Sequence, residues 1–148
     1  MSDRPVFFDT NTLVYANDTG SPKKRSRARE LIRQAVVSGT GSISTQVLAE
    51  FWVTVTRKLK TPLAPDSARE QIALFSAFRV QAVDQATVLE AIRLQEHYQL
   101  SYWDAQIIAS ARFAKAALLY SEDLSDGAEY EGVKVQNPFR KAEEEGKS

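Results

Sequence analysis

Short apolar runs that alternate with helix-patterned stretches predict an α/β fold, a three-layer α/β/α sandwich with a central, mostly parallel sheet. Three observations carry this. Runs such as Val6 to Phe8 and Ala116 to Tyr120 read as buried strands. The stretches between runs place apolar residues at helical spacing. A chain of 148 residues can form one core without disulfide or metal support.

The first strand is Val6 to Phe8. A helix follows from about Pro22 to Val37, with Leu31, Ile32, Ala35 and Val36 on one stripe, Ser21 as its cap and Pro22 in its first turn. A short strand at Ser42 and Ile43 leads into a helix from Thr45 to about Leu59, striped by Val47, Leu48, Phe51, Val55 and Leu59. Pro62 and Pro65 end it. A third helix spans about Asp66 to Phe78, a strand Arg79 to Val83, a fourth helix Gln85 to Tyr98 and a fifth Ser101 to Lys115. Ala116 to Tyr120 is the next strand. Val133 to Val135 reads as a short edge strand after a turn at Asp126-Gly127. Residues 1–138 form one domain, and the charged residues 139–148 read as a disordered tail.

Lysine plus arginine equals aspartate plus glutamate at 19 each, so no bulk field commits the chain to nucleic acid or membrane. Without cysteine there is no disulfide framework, thiol nucleophile or thiolate zinc site. The start "MSDRPVFFD" has no signal-peptide plan and no apolar run is long enough to span a bilayer, so a soluble, cytoplasmic protein is expected. The single histidine, His97 in "LQEHYQL", reads as a surface or helix-end residue.

In open parallel sheets, ligands bind beyond the carboxyl ends of the strands. Four acids fall there. Asp9 leaves the first strand and Asp123 the fourth; Glu50 lies in the helix after the second strand, and Asp104 lies early in the fifth helix. Four converging carboxylates repel unless a cation offsets them, and hard oxygen donors suit Mg2+ or Mn2+. Each acid also has an ordinary role available. Asp104 stands three residues after Ser101, as in a capping box; Glu50 suits the early turns of a helix; Asp9 can cap a short helical turn; and Asp126 belongs to a turn-rich stretch. The combination at one sheet edge is the signal. Glu122, Asp123 and Asp126 all remain candidates for the fourth acid.

The segments "FFDTN", "STQVLAEF", "LSYWDAQIIASA" and "LLYSEDLSDG" resemble the motifs of PIN-domain ribonucleases, particularly the VapC-type toxins of toxin–antitoxin pairs. The resemblance extends from the first strand to about Pro138. It implies a PIN-like fold and a Mg2+- or Mn2+-dependent endoribonuclease that is held by a cognate antitoxin. Asp9, Glu50, Asp104 and Asp123 would then be catalytic, metal-binding acids, with Thr10 and Asn11 orienting the first carboxylate or a scissile phosphate. An ion held by carboxylates activates water for phosphodiester hydrolysis without any side-chain nucleophile, whether one ion or two take part.

The dense basic cluster "SPKKRSRARE" opens a helix, where Lys23 and Lys24 are disfavoured by the helix dipole. Phosphate contact is one explanation and a solvated basic face the other. Arg112 and Lys115, further along the helix that carries Asp104, are candidates to reach the same RNA strand. Trp52 and Trp103 flank two of the acids; packing is the plainer role for them and base stacking the alternative. The apolar content of the second to fourth helices, including Phe51, Trp52, Leu74, Phe75 and Phe78, suggests a homodimer face or an antitoxin groove. Two competing functions are a non-catalytic RNA- or protein-binding module and an aspartate-dependent phosphatase. The phosphatase ordinarily has a second aspartate where Asn11 stands.

Overall fold

The computed structural model describes residues 4–140. Its six strands and six helices follow one another as β1 (Val6–Phe8), α1 (Thr10–Tyr15), α2 (Pro22–Ser38), β2 (Gly41–Ser44), α3 (Thr45–Val53), α4 (Pro65–Leu74), β3 (Arg79–Gln81), α5 (Gln85–Tyr98), α6 (Tyr102–Phe113), β4 (Leu118–Tyr120), β5 (Glu129–Tyr130) and β6 (Val133–Gln136). A π-helical turn, Thr54–Lys58, extends α3, and a 3₁₀ turn, Phe75–Ala77, ends α4.

The sheet order is β3-β2-β1-β4-β6-β5, parallel except for β5. The chain steps outward from β1 to β2 to β3, then returns to the other side of β1 for β4. Right-handed crossovers in opposite directions put α2 to α4 on one face and α5 and α6 on the other. The reversal opens a crevice beyond the carboxyl ends of β1 and β4.

The central strand β1 buries Phe7 and Phe8 on opposite faces, as a strand covered on both sides must. Phe8 stacks on Phe78 at 5.4 Å, Phe78 on Phe75 at 5.9 Å, and Phe75 meets Phe51 edge-on at 5.1 Å. Phe51, Phe75 and Phe78 are therefore core and leave the expected partner face; Leu74 remains exposed, and Val36 and Val37 of α2, not expected there, are exposed beside it. At Gly41 a Cβ would stand 2.5 Å from the Phe78 ring, so β2 can approach this stack only with glycine there.

Several boundaries differ from those expected. Ser21 occupies the cap position of α2 without a side-chain bond. The strand Val133–Gln136 is internal, because β5 pairs antiparallel outside it; Glu131 and Gly132, both at positive φ, make the two-residue turn between them. Phe139, assigned to the tail, is fully buried against Ala16 and Ala28, and Arg140 pairs with Asp126 at 2.7 Å. The remainder of the expected tail, 141–148, lies outside the described residues. No helix among the described residues is long and apolar enough to cross a membrane.

Candidate active site

The carboxyl ends of β1 and β4 deliver Asp9 and the segment Ser121 to Asp123 side by side. The Asp9 N–H closes the ladder by donating to Tyr120 O at 3.0 Å. The Asp9 side chain is buried, at 7% exposure. It accepts from Thr10 N–H at 2.7 Å and from the Ser121 hydroxyl at 2.8 Å. Burial nonetheless pushes its pKa up to about 6, against those two bonds and with added repulsion from Asp123 and Glu50. Asp9 is also the N-cap of α1, so its local role and its place in the acid group coincide.

Thr10 and Asn11, on the first turn of α1, tie the other acids to the first. The Thr10 hydroxyl donates to Glu50 Oε2 at 2.8 Å and the Asn11 amide to Asp123 Oδ2 at 3.1 Å. Both were expected to orient the first carboxylate or a scissile phosphate; the Thr10 backbone N–H bonds the first carboxylate, and the two side chains hold its acidic neighbours. Glu50 accepts a further bond from Gln46, one turn earlier, at 2.9 Å. Gln46 is itself held by Gln106 at 2.8 Å, and Gln106 by Tyr102 at 2.6 Å. A relay of three side chains thus links the start of α6 to Glu50. The Asp104 N–H donates to Ser101 Oγ at 3.1 Å, which starts α6. The Asp104 charge, after burial, is the largest contribution raising the pKa of Asp123, ahead of Glu122 and Glu50.

The three candidates for the fourth acid have different surroundings. Glu122 pairs with Lys24 at 2.6 Å and accepts from Tyr15 at 3.0 Å. Asp126 accepts the Asn137 N–H at 2.8 Å and pairs with Arg140; these two partners hold its carboxyl below the usual range. Asp123 alone of the three lines an open cleft of about 480 Å3 together with Asp9, Thr10, Asn11, Ala49, Glu50, Val53, Thr54 and Lys58.

The basic residues expected at the substrate distribute differently. Lys24 is engaged by Glu122 and lies 4.7 Å over the Tyr15 ring; Lys23 is exposed beside it. Arg112 pairs with Glu90 at 2.8 Å, and Lys115 follows the far end of α6. Eight residues along a helix separate Arg112 from Asp104, about 12 Å, so neither Arg112 nor Lys115 is brought to the acids. Trp52 packs partly against the core with Arg69 over its ring, while Trp103 is 62% exposed. His97 is exposed, as expected. Ser121, Gln46 and Lys58 were not singled out from sequence; only Ser121, two residues before Asp123 at a strand exit, offered a local signal.

A family model described as PIN domain matches residues 6–125. The chain belongs to the PIN-domain family. Solved structures with the same fold include a toxin–antitoxin complex from Klebsiella pneumoniae, at 20% identity and TM-score 0.65, covering 90% of this chain and 97% of that one. VapC20 of Mycobacterium tuberculosis, a sarcin-ricin loop cleaving toxin, matches at 20% identity and TM-score 0.62 over 80% of this chain and 89% of its own. VapBC2 of Rickettsia felis, bound to a promoter DNA fragment, matches at 16% identity and TM-score 0.63 over 88% and 96%. A search of curated protein sequences returns no significant match.

PIN domains typically bind Mg2+. The donor set here is oxygen only, with one buried carboxyl whose ionisation is opposed until positive charge arrives, and that chemistry fits a hard divalent cation. No three acidic or imidazole side chains among the described residues converge closely enough to form a ready-made metal cage. A cation held by one or two carboxylates, with water and substrate oxygens completing its shell, is the ordinary arrangement for Mg2+.

Proposed function

We propose that this PIN-domain protein is a Mg2+- or Mn2+-dependent endoribonuclease and the toxin of a toxin–antitoxin pair. The observation that supports this best is the meeting of Asp9, Glu50 and Asp123 in one cleft, within electrostatic reach of Asp104, around a carboxyl that burial keeps from ionising freely. A binding module for phosphate gains nothing from converging negative charge.

Asp9, Glu50, Asp104 and Asp123 are the acids that would hold the ion, one or two of them directly and the others through its bound water. When bound, it would lower the pKa of a water molecule toward neutrality and offset charge on the leaving oxygen. The chain's own contribution is positioning. Ser121 and Thr10 N–H fix Asp9, Thr10 and Gln46 fix Glu50, and Asn11 fixes Asp123. Attack by water, and not by the ribose 2′-oxygen, leaves a 5′-phosphate and a 3′-hydroxyl.

An antitoxin has a place to dock. Ile32, Val36 and Val37 of α2 and Leu74 of α4 line an apolar groove of about 490 Å3, with Arg29 and Arg33 among its lining residues. This groove suits an apolar segment with acidic neighbours, and a homodimer would cover exposed apolar surface of the same kind. That solved structures of this fold were crystallised as complexes, one of them a toxin–antitoxin complex, supports a protein partner in general.

The test is incubation of the purified protein with mixed RNA in Mg2+, in Mn2+ and in chelator, beside Asp9→Asn and Asp104→Asn. Metal-dependent cleavage lost in both variants is expected. Cleavage that persists in chelator, or that survives both substitutions, would overturn the mechanism. Binding to RNA without any cleavage would favour the non-catalytic module.

A further inference from the structure

One wall of the acid cleft carries a basic side chain. Ala49, Val53, Thr54 and Lys58 line it together with Asp9, Glu50 and Asp123, and Lys58 is the one basic residue among them. Ordinary helical geometry would not place it there. Two turns of α-helix take seven residues, so Arg57 would share the face of Glu50, with Lys58 rotated about 80° away.

The π turn changes that register. The Leu59 N–H donates to Thr54 O, five residues back, at 3.2 Å. Such a turn takes up one extra residue, so Lys58 falls where Arg57 would otherwise stand. Two bonds hold the wide turn open. Val55 O, left without its usual donor, accepts the Leu63 N–H at 2.8 Å, and the Thr56 hydroxyl bonds back to Trp52 O at 2.6 Å. Leu63 sits in the Pro62-Leu63-Ala64-Pro65 loop, which therefore serves to seat the turn as well as to end the helix.

We propose that Lys58 binds a phosphate of the RNA strand in the acid cleft and that the π turn exists to place it there. This rests on the ribonuclease reading above and identifies the protein side chain that meets the substrate's charge. A phosphate approaching Asp9, Glu50 and Asp123 meets repulsion wherever the bound cation does not reach. An ammonium on the same cleft, with three donors on a flexible stem, supplies the second positive contact.

The test compares Lys58→Ala, Lys58→Arg and Arg57→Ala in the full chain. Binding of a labelled random-sequence single-stranded RNA is followed by anisotropy across a salt series, in an Asp104→Asn background that does not cut. Cleavage of mixed RNA is followed in the wild-type background. Lys58→Ala should weaken binding about tenfold and reduce the slope of log affinity against log salt by about 0.7, the share of one phosphate contact on a single strand. The loss should fall on KM more than on kcat. Lys58→Arg should restore most of the binding, and Arg57→Ala should change little. The Mg2+-induced rise in thermal midpoint should be the same in Lys58→Ala as in wild type, which separates phosphate contact from damage to the fold or the ion site. Wild-type cleavage with Lys58→Ala indistinguishable from Arg57→Ala overturns the assignment of Lys58 alone. Wild-type protein that neither binds nor cuts RNA overturns the ribonuclease reading and this proposal with it.

Discussion

Replacing Asp9 with asparagine should stabilise the metal-free protein at neutral pH and abolish its response to Mg2+. The carboxyl titrates at about 6 in the fold against 3.8 for an unperturbed aspartate. Two units correspond to about 3 kcal/mol. For an acid whose folded pKa is raised, the folded state holds the proton more tightly between the two values. Stability from this group is therefore greatest below pH 3.8, falls as pH rises to about 6, and is flat above that.

Asparagine removes the charge but leaves one polar mismatch. Asp9 accepts from both Thr10 N–H and Ser121 Oγ, whereas an amide offers a single acceptor oxygen. Ser121 cannot easily turn to accept instead, because its oxygen already takes the Asp123 and Leu124 N–H groups at 3.2 and 3.3 Å. That mismatch costs about 1 kcal/mol. At pH 8 in chelator, Asp9→Asn should gain about 2 kcal/mol, or about 4–8 °C in thermal midpoint for a chain of this size. At pH 4 it should be level with wild type or about 1 kcal/mol weaker. Urea unfolding from pH 4 to 8 measures this, and a repeat in saturating Mg2+ should raise wild type only. An Asp9→Asn protein less stable than wild type at pH 8, or a difference independent of pH, refutes the claim that Asp9 is a strained carboxylate.

Ser121→Ala should destabilise the protein by about 1–3 kcal/mol, since it leaves the Asp123 and Leu124 N–H groups without their acceptor. It should also raise the Asp9 pKa further, because the Ser121 bond lowers it, so the acid limb of the cleavage profile moves to higher pH; urea unfolding and a pH–rate series check the two effects. Glu122→Gln should leave cleavage within about threefold, its half-buried carboxylate being taken up by Lys24 and Tyr15 outside the acid cleft. Asp123→Asn should lose about a hundredfold or more, and a larger loss from Glu122→Gln than from Asp123→Asn in a cleavage time course would reverse the choice of fourth acid.

The strand exits and the helix that comes after each were legible in sequence, because apolar runs and 3.6-residue periodicity act locally. Asp9, Glu50, Asp104 and Asp123 could be named for that reason. What holds them could not. Ser121 bonds Asp9 across 112 residues and Gln106 bonds Gln46 across 60, contacts that exist only once the sheet has assembled. Lys24 looked available for phosphate because its neighbours in sequence are basic; its partner, Glu122, is 98 residues away. Val133 and Val135 alternate with exposed residues whether their strand is at the edge or one place inside it, so only the Glu131-Gly132 turn decides the matter.

Lys58 was hidden by a different cause, and that cause bears on how the cleft is built. Helical periodicity assumes a constant step, and a π turn is a one-residue change of phase that the pattern of Val47, Phe51 and Val55 does not announce. All three of those residues are buried before or within the turn, so the core stripe tolerates the shift. The change falls wholly on the residues after Val55, exchanging which of two adjacent cations shares the cleft. The same change of phase seats Leu59, the next residue of the stripe, against the core, so packing and the choice of cleft residue are set by one turn. Deleting Thr56 would remove the extra residue, and Lys58, then two ordinary helical turns after Glu50, would keep its place on the cleft. The deletion variant should therefore fold, with a loss of about 1 kcal/mol for the Thr56 bond to Trp52 O, and its RNA affinity should still fall when Lys58 is changed to alanine. A folded deletion variant whose binding no longer depends on Lys58 in the anisotropy series would place the phosphate contact elsewhere.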